Sequence, residues 1–394
     1  MQEFIHYTPT KVIFGKQKEM LTGMEIKLAG GTKVLIVYGG GSVKKSGLLD
    51  RVEATLEEVG ISYVEWGGVK PNPRLAHAEA GVEYALQEKV DFILAIGGGS
   101  VIDTAKAIAH GVANPEVKLW DLWMKKVPLT KTLPVGVVLT IAAAGSEMSD
   151  SAVLTNEELG KKAGLGTDLN RPIFAIMNPE LTYTLPKYQI GCGIVDIMMH
   201  TLERYFIPDQ KNQLTDEIAE GLLRTVIRNG RIAMQNPKDY DAMSEIMWCG
   251  SISHNNLTGL GRGAKDFSVH KLGHALSAKF DVAHGASLSA VWGDWAEYVY
   301  KSDSERFQHY GKTVWGIETK DSLKAAKETI KCTVEYFKEL EMPTCLSELG
   351  IGIQSEEMLK ELSMDATMNG TVELAQIQKL NVEDVYRIFK AANR

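Results

Sequence analysis

The sequence predicts an α/β domain built on a parallel, doubly wound sheet, followed by an all-α domain. Three observations carry this. Short apolar, β-branched runs alternate with amphipathic stretches between residues 33 and 139. Two of those runs end in the same four residues, Gly-Gly-Gly-Ser. After Pro186 the period-two runs vanish and segments with a 3.6-residue apolar period take over.

The elements follow in order. Lys11-Val-Ile-Phe14 is a short apolar strand. Lys33-Val-Leu-Ile-Val-Tyr38 is an apolar run of the kind buried on both faces of a parallel sheet. It runs into Gly39-Gly40-Gly41-Ser42, and a helix follows with Leu48, Leu49, Val52, Leu56 and Val59 on one face. A strand at Ser62–Val64 and a helix from about Pro73 to Lys89 form the next unit. Asp91–Ile96 is a third strand, leading into Gly97-Gly98-Gly99-Ser100 and a helix through Ala109. Pro134–Leu139 is a fourth strand, ending at Thr140. Residues 150–177 should form a hairpin, Ala152–Thr155 against Ile173–Ile176, around the polar loop Asn156–Lys162. The second half reads as helices over 187–205, 212–235, 238–259, 266–279, 283–299, 303–313, 320–340, 355–365 and 382–391. The expected domains are 1–183 and 184–394. A cleft between two such domains is the default place for a ligand.

Glycine directly after a strand and before a helix lets backbone approach a pyrophosphate, and the helix N-terminus offers free N–H groups there. One such loop could equally be a tight turn. Two in one domain, the second followed by Asp103 and Lys106, favour a dinucleotide.

The helical half carries a different chemistry. Asp196 and His200 stand four apart in an apolar run without proline, so one helix face presents both. His270 and His274 repeat that spacing, and His284 follows ten residues later, before Gly285. Asp196, His200, His270 and His284 suit one divalent ion. Three imidazoles and a carboxylate accept Fe(II), Zn(II), Mn(II) or Ni(II), and affinity order alone does not choose.

Composition excludes other classes. With 43 Lys and Arg against 50 Asp and Glu, the net charge is −7, and no basic cluster exceeds a lysine pair such as Lys44-Lys45 or Lys161-Lys162. Nucleic acid is therefore not an expected partner. The four cysteines, Cys192, Cys249, Cys332 and Cys345, form no CxxC and read as reduced thiols. The N-terminal residues lack the features of a signal peptide, and no apolar run is long enough to span a membrane. The expected location is the cytoplasm.

Asp196-x3-His200, His270-x3-His274 and His284-Gly285 together resemble the iron-containing (group III) alcohol dehydrogenase family, in its butanol dehydrogenase and broad-range aldehyde reductase branch. Phe14-Gly15, Tyr38–Ser42, Pro71-Asn-Pro73, Gly97–Asp103, Gly145-Ser-Glu147 and Leu185-Pro186 extend the resemblance over nearly the whole chain. It implies a Rossmann-like α/β domain plus an all-α domain, the dehydroquinate synthase-like arrangement. Residues 1–183 would then bind the dinucleotide and 184–394 the metal, with both meeting in the cleft. The implied reaction is reversible NAD(P)H-linked reduction of an aldehyde to a primary alcohol, with Fe2+ as the expected metal.

The resemblance also implies roles. Gly98, Gly99 and Ser100 would cradle the pyrophosphate, with Asp103 nearby. Gly39, Gly40 and Ser42 would face the adenosine ribose. NAD-preferring relatives often carry Asp where this chain has Gly39, and Ser42, Lys44 and Lys45 could accept a 2′-phosphate, so NADP(H) is the expected nucleotide, with NAD(H) the alternative. The family often has Thr at Ala144, so one hydroxyl is missing here, and Thr140 is left to contact adenine or ribose. Ser149 and Lys162 would lie toward the nicotinamide, or Lys162 is a solvated loop lysine. His274 would relay a proton to the substrate oxygen, with a fifth ligand or a structural histidine as alternatives. The opening strand would pair between subunits, giving a homodimer. Alternatives on the same fold are a glycerol-type polyol dehydrogenase and dehydroquinate synthase, and beyond enzymes a non-catalytic metal- and nucleotide-binding protein. An acidic substrate would want cations near the histidines, where Arg262, Lys265 and Lys271 stand.

Overall fold

A computed structural model describes residues 1–208, 212–262, 265–375 and 377–394. The chain divides into two compact units, Tyr7–Leu185 and Pro186–Arg394, and Met1–His6 assorts with the second.

The first unit contains β1 (Lys11–Phe14), α1 (Thr22–Leu28), β2 (Lys33–Tyr38), α2 (Ser42–Lys45), α3 (Leu48–Glu58), β3 (Ser62–Trp66), α4 (Leu75–Glu88), β4 (Phe92–Gly97), α5 (Gly99–Ala113), α6 (Leu119–Trp123), β5 (Val135–Leu139), β6 (Ser151–Asn156), β7 (Lys161–Gly166) and β8 (Phe174–Met177). Six strands form one sheet in the order β1-β8-β5-β4-β2-β3, every neighbouring pair parallel. All of β4 and β5, and β2 beyond Lys33, are buried, which explains their unbroken apolar sequences. On one face Val34, Ile36, Tyr38, Leu94 and Ile96 pack against Leu48, Leu49, Val52 and Leu56 of α3.

The expected hairpin is corrected. Ser151–Asn156 pairs antiparallel with Lys161–Gly166, not with Ile173–Ile176. Gly160, at φ +59°, helps turn the chain between them. The segment Lys-Lys-Ala-Gly-Leu-Gly is mostly exposed and lacks β-branched residues, so nothing in its composition marks a strand. Phe174–Met177 is fully buried and lies between β5 and β1 in the main sheet. The hairpin packs through Ala152, Leu154 and Leu165 on Leu119, Leu122 and Trp123 of α6.

The second unit is helical: α7 (Lys187–Tyr205), α8 (Gln213–Gln235), α9 (Tyr240–His254), α10 (Ser268–Phe280), α11 (His284–Val299), α12 (Ser304–Tyr310), α13 (Ser322–Glu339), α14 (Glu356–Ala366) and α15 (Val382–Ala392). Side chains cap the helix starts where the sequence supplies them: Asp239 for α9, Asp303 for α12, Asp321 for α13, Ser355 for α14, and an Asn381–Asp384 capping box for α15. The central helix is α7, buried without interruption from Ile190 to Tyr205, as expected of a helix apolar on every side. Among the described residues no helix is long and apolar enough to cross a membrane.

Candidate active site

Polar residues inside a helix as apolar as α7 need partners, because a buried charge without one is costly. Asp196 and His200 are both buried on it. Asp196 Oδ1 lies 3.3 Å from His200 Nδ1, 3.5 Å from His270 Nε2 and 3.8 Å from His284 Nε2. Asp196, His270 and His284 present ligand atoms that all lie within 4.8 Å of one another. His200 joins through Asp196, and its ring centroid is 4.5 Å from that of His270. Asp196 Oδ1, His200 Nδ1 and His270 Nε2 are buried and have no hydrogen-bond partner among the described residues.

This donor set fits a metal. With bonds of about 2.0–2.2 Å, tetrahedral ligand atoms stand roughly 3.3–3.6 Å apart, close to the spacings found here. A carboxylate oxygen and imidazole nitrogens converging at that range are what a divalent cation can hold together.

The packing of α11 on α7 explains how His284 arrives. A Cβ at Gly285 would overlap the Cys192 carbonyl, so only glycine lets the start of α11 come this close. His270 is oriented from its other side. Its Nδ1 bonds Glu203 Oε2, and its backbone N–H donates to Glu203 Oε1 at 3.0 Å. A carboxylate on Nδ1 fixes the tautomer that leaves Nε2 free for a metal. Burial opposes a charge on His270, but Glu203 and Asp196 outweigh it and raise its pKa to about 9. His200 goes the other way: burial, with His254, His270 and Arg204 beside it, holds it well below its ordinary value. A metal entering the cluster therefore competes with the His270 proton.

Glu203 and His254 escape the sequence reading. His254 stacks on His200 with centroids 3.8 Å apart. Glu203 had a signal: it stands seven residues after Asp196 and three after His200, on the same helix face. His274 lies beside the cluster, its centroid 5.3 Å from His284 and 6.1 Å from His270.

The first unit builds its site from backbone. From β2 the chain goes to β3 on one side and returns to β4 on the other, so the order reverses between β2 and β4. Ligands of open α/β sheets bind at such a switch point, outside the carboxyl ends of the strands. Both glycine loops emerge there: Gly39–Ser42 after β2, and Gly97–Ser100 between β4 and α5. Gly99 and Ser100 form the first turn of the 15-residue α5, and Gly98 precedes it. A Cβ on Gly98 would come within 2.7 Å of Ile141, so the close packing of this loop requires glycine. Around Gly40 a Cβ would meet nothing within 4 Å, and Gly39 is nearly as open. Thr140 follows β5 beside the second loop, its N–H donating to Gly97 O at 3.0 Å.

The remaining predicted nucleotide residues make bonds within the chain. Asp103 accepts from Ser146 Oγ at 2.6 Å and from Val153 N at 2.9 Å. Ser149 is buried, its hydroxyl donating to Ser151 O at 3.2 Å. Lys162 Nζ donates to Asn72 Oδ1 at 2.9 Å. Lys106, fully buried, donates to Ser146 O and Ser151 O, both at 2.8 Å, which ties α5 to the segment before β6. Burial lowers its pKa to about 8 against the pull of Asp103, Glu147 and Asp150.

Comparison with known proteins identifies the family. The family model for iron-containing alcohol dehydrogenases matches residues 9–179, and that for the C-terminal part of the family matches residues 191–393. NADH-dependent butanol dehydrogenase A of Clostridium acetobutylicum is 43% identical over 392 residues, covering 99% of both chains. The NADPH-dependent aldehyde reductase YqhD of Escherichia coli is 34% identical over the full length of both. The crystal structure of NADH-dependent butanol dehydrogenase A from Thermotoga maritima superposes with a TM-score of 0.96 at 37% identity, covering 100% of this chain and 99% of that one. The chain belongs to the iron-containing alcohol dehydrogenase family.

Proposed function

We propose that the chain is a metal-dependent, NAD(P)H-linked alcohol dehydrogenase that reduces aldehydes to primary alcohols reversibly, as the names of its relatives describe for them. The observation that carries the proposal is Asp196 Oδ1, buried and without a hydrogen-bond partner among the described residues, with three imidazole nitrogens within 3.8 Å. Asp196, His200, His270 and His284 would hold the ion, Fe2+ in the first place and Zn2+, Mn2+ or Ni2+ otherwise. When bound, it supplies Lewis-acid polarisation of the substrate oxygen. The hydride chemistry belongs to the nicotinamide.

The protein's own residues do the rest. Glu203 holds the His270 ring so that Nε2 faces inward. His274 stands one helical turn from His270 and exchanges a proton with the substrate oxygen, a task that suits an imidazole. Gly98, Gly99 and Ser100 take the pyrophosphate at the start of α5, and Gly39, Gly40, Ser42 and Thr140 take the adenosine half. Asp103, Ser149 and Lys162 line the remainder of the nucleotide site. Gly39 leaves room for a 2′-phosphate, so NADP(H) is accepted and preferred over NAD(H).

An acidic substrate is disfavoured. Arg262 is buried and bonded to Asp216, and Lys265 donates to Asn256 at 2.6 Å, so these cations serve other carboxyl and amide groups. We further propose a homodimer, supported by the position of β1 at one edge of the sheet, and a cytoplasmic location, supported by four free thiols. Light scattering that shows only a monomer at micromolar concentration excludes the dimer.

Metal analysis of the purified protein, with absorbance assays of butanal against NADPH and NADH, tests the central proposal. One ion per chain with turnover is expected. Metal-free protein without aldehyde turnover when Fe2+, Zn2+, Mn2+ or Ni2+ is supplied overturns it. A kcat/KM for NADH tenfold above that for NADPH overturns the nucleotide preference alone.

A further inference from the structure

The first glycine loop is flanked by an ion pair that the sequence does not reveal. Tyr38 is the last residue of β2, Lys44 lies in α2 just after the loop, and Glu65 lies near the end of the neighbouring β3. Glu65 sits opposite Ile36 in the parallel register, so it shares a sheet face with Tyr38, two residues further on. Both partners meet one carboxylate oxygen. Tyr38 Oη donates to Glu65 Oε2 at 2.6 Å, and Lys44 Nζ lies 2.7 Å from the same atom. The ammonium also stands 5.1 Å from the centroid of the Tyr38 ring. Three elements thus fix where the Lys44 charge sits, while about half of its side chain remains exposed.

Glu53 of α3 adds negative charge to the same side. Burial, with Glu65 and Asp50 next, raises its pKa, whereas Lys44 and Tyr38 hold Glu65 below its ordinary value and keep it ionised. A lysine beside a phosphate site serves as a point charge. Here that charge is neutralised by a carboxylate at contact distance.

We propose that Glu65 is a positioning residue for nucleotide choice: it holds Lys44 in an ion pair, and so limits the gain that a 2′-phosphate makes at the open Gly39–Ser42 loop. The proposal rests on the reading of that loop as the adenosine-ribose site. Gly39 admits the phosphate, and Glu65 sets how strongly it is bound. NADH carries no charge at that position and does not need the lysine.

The test is direct binding to the purified full-length protein, followed by fluorescence titration with NADPH, NADH, 2′,5′-ADP and 5′-AMP. Glu65→Gln keeps the size of the side chain and an acceptor for Tyr38, and it frees Lys44. The ratio of NADPH to NADH affinity is expected to rise about tenfold, an electrostatic gain that shrinks as salt rises. The ratio for 2′,5′-ADP over 5′-AMP should rise in parallel. Adding Lys44→Met to Glu65→Gln should abolish the gain, which a merely structural role for Glu65 does not predict. An unchanged ratio in Glu65→Gln overturns the proposal, as does a gain that survives in the double variant. Wild-type protein that binds neither dinucleotide overturns the cofactor reading itself, and this proposal with it.

Discussion

Two buried histidines, one in each unit, show how the same side chain serves opposite ends. His110, on α5, is fully satisfied: Nδ1 lies 2.8 Å from Thr132 Oγ1 and Nε2 lies 2.8 Å from Asn170 Oδ1. Asn170 in turn donates to the Asp150 and Leu165 carbonyls, which fixes its oxygen toward the ring. Burial lowers the pKa of His110 to about 4. His270, on α10, is bonded through Nδ1 to Glu203, and its Nε2 lies 3.5 Å from Asp196 Oδ1, neither atom having a hydrogen-bond partner among the described residues. Burial is common to both, so burial does not make a metal ligand. The mark of one is a lone pair left without a proton donor where others converge.

The largest effect that separates the two is loss of a ligand. His284→Ala should fold normally yet lose its ion, and turnover should fall about 1000-fold or more if the ion stabilises the charge that develops on the substrate oxygen. Metal analysis beside a thermal melt decides this, and stoichiometric metal with full turnover refutes the site. Next comes a histidine that touches the cluster without joining it. His274→Ala should retain metal and bind cofactor, with kcat lowered roughly 100-fold and the alcohol-oxidation pH profile altered. Loss of metal would make it a ligand, and wild-type kinetics with an unchanged profile would make it structural.

A smaller change lies one bond further out. Glu203→Gln weakens the hold on His270 Nδ1 and should reduce metal affinity about 10-fold, within the range usual for a carboxylate behind a ligating histidine. Competition with a chelator measures it, and unchanged affinity would mean that packing alone orients the ring. The smallest effect belongs to His110. Its folded pKa lies below its ordinary value, so the unfolded chain takes up the proton first as pH falls. Stability contributed by the neutral ring is complete above about pH 6.5 and declines toward pH 4. The loss between pH 6 and pH 5 should be about 1 kcal/mol. Urea titrations of wild type and His110→Gln at both values would show the slope difference, and parallel curves would count against it.

The two sites were not equally legible in the sequence. The proposed metal site consists of side chains, and helical spacing places Asp196 with His200 on one face, while His270 and His274 share the face of another helix. Glu203 shares that helix face, three residues after His200, but a glutamate in a helix is ordinary until its partner is known. His110 and His270 cannot be told apart by sequence, since their difference lies in Asn170 and Thr132 on the one hand and Asp196 on the other. The proposed nucleotide site consists of backbone, and its clearest sign is the repeated Gly-Gly-Gly-Ser. That both copies flank one switch point depends on strand order, which no local pattern encodes. The Lys44–Glu65 pair depends on register between β2 and β3. The second strand of the hairpin failed for a related reason: β7 is held by pairing with β6 and not by its own composition.

Met1–His6 belongs with the helical unit, and the Gln2 N–H donates to Gly261 O at 2.8 Å. These six residues therefore find their partner only after some 250 more have been added, on the order of ten to fifty seconds at ordinary ribosome speeds. Meanwhile Tyr7–Leu185 can complete its sheet, closing β1 onto β8 as soon as Met177 is available. The helical unit is discontinuous, and its short first segment waits for a partner far along the chain. During synthesis those six residues must stay accessible and uncommitted, so a chaperone or protease that acts on that segment of the nascent chain competes with completion of the helical unit and not of the sheet.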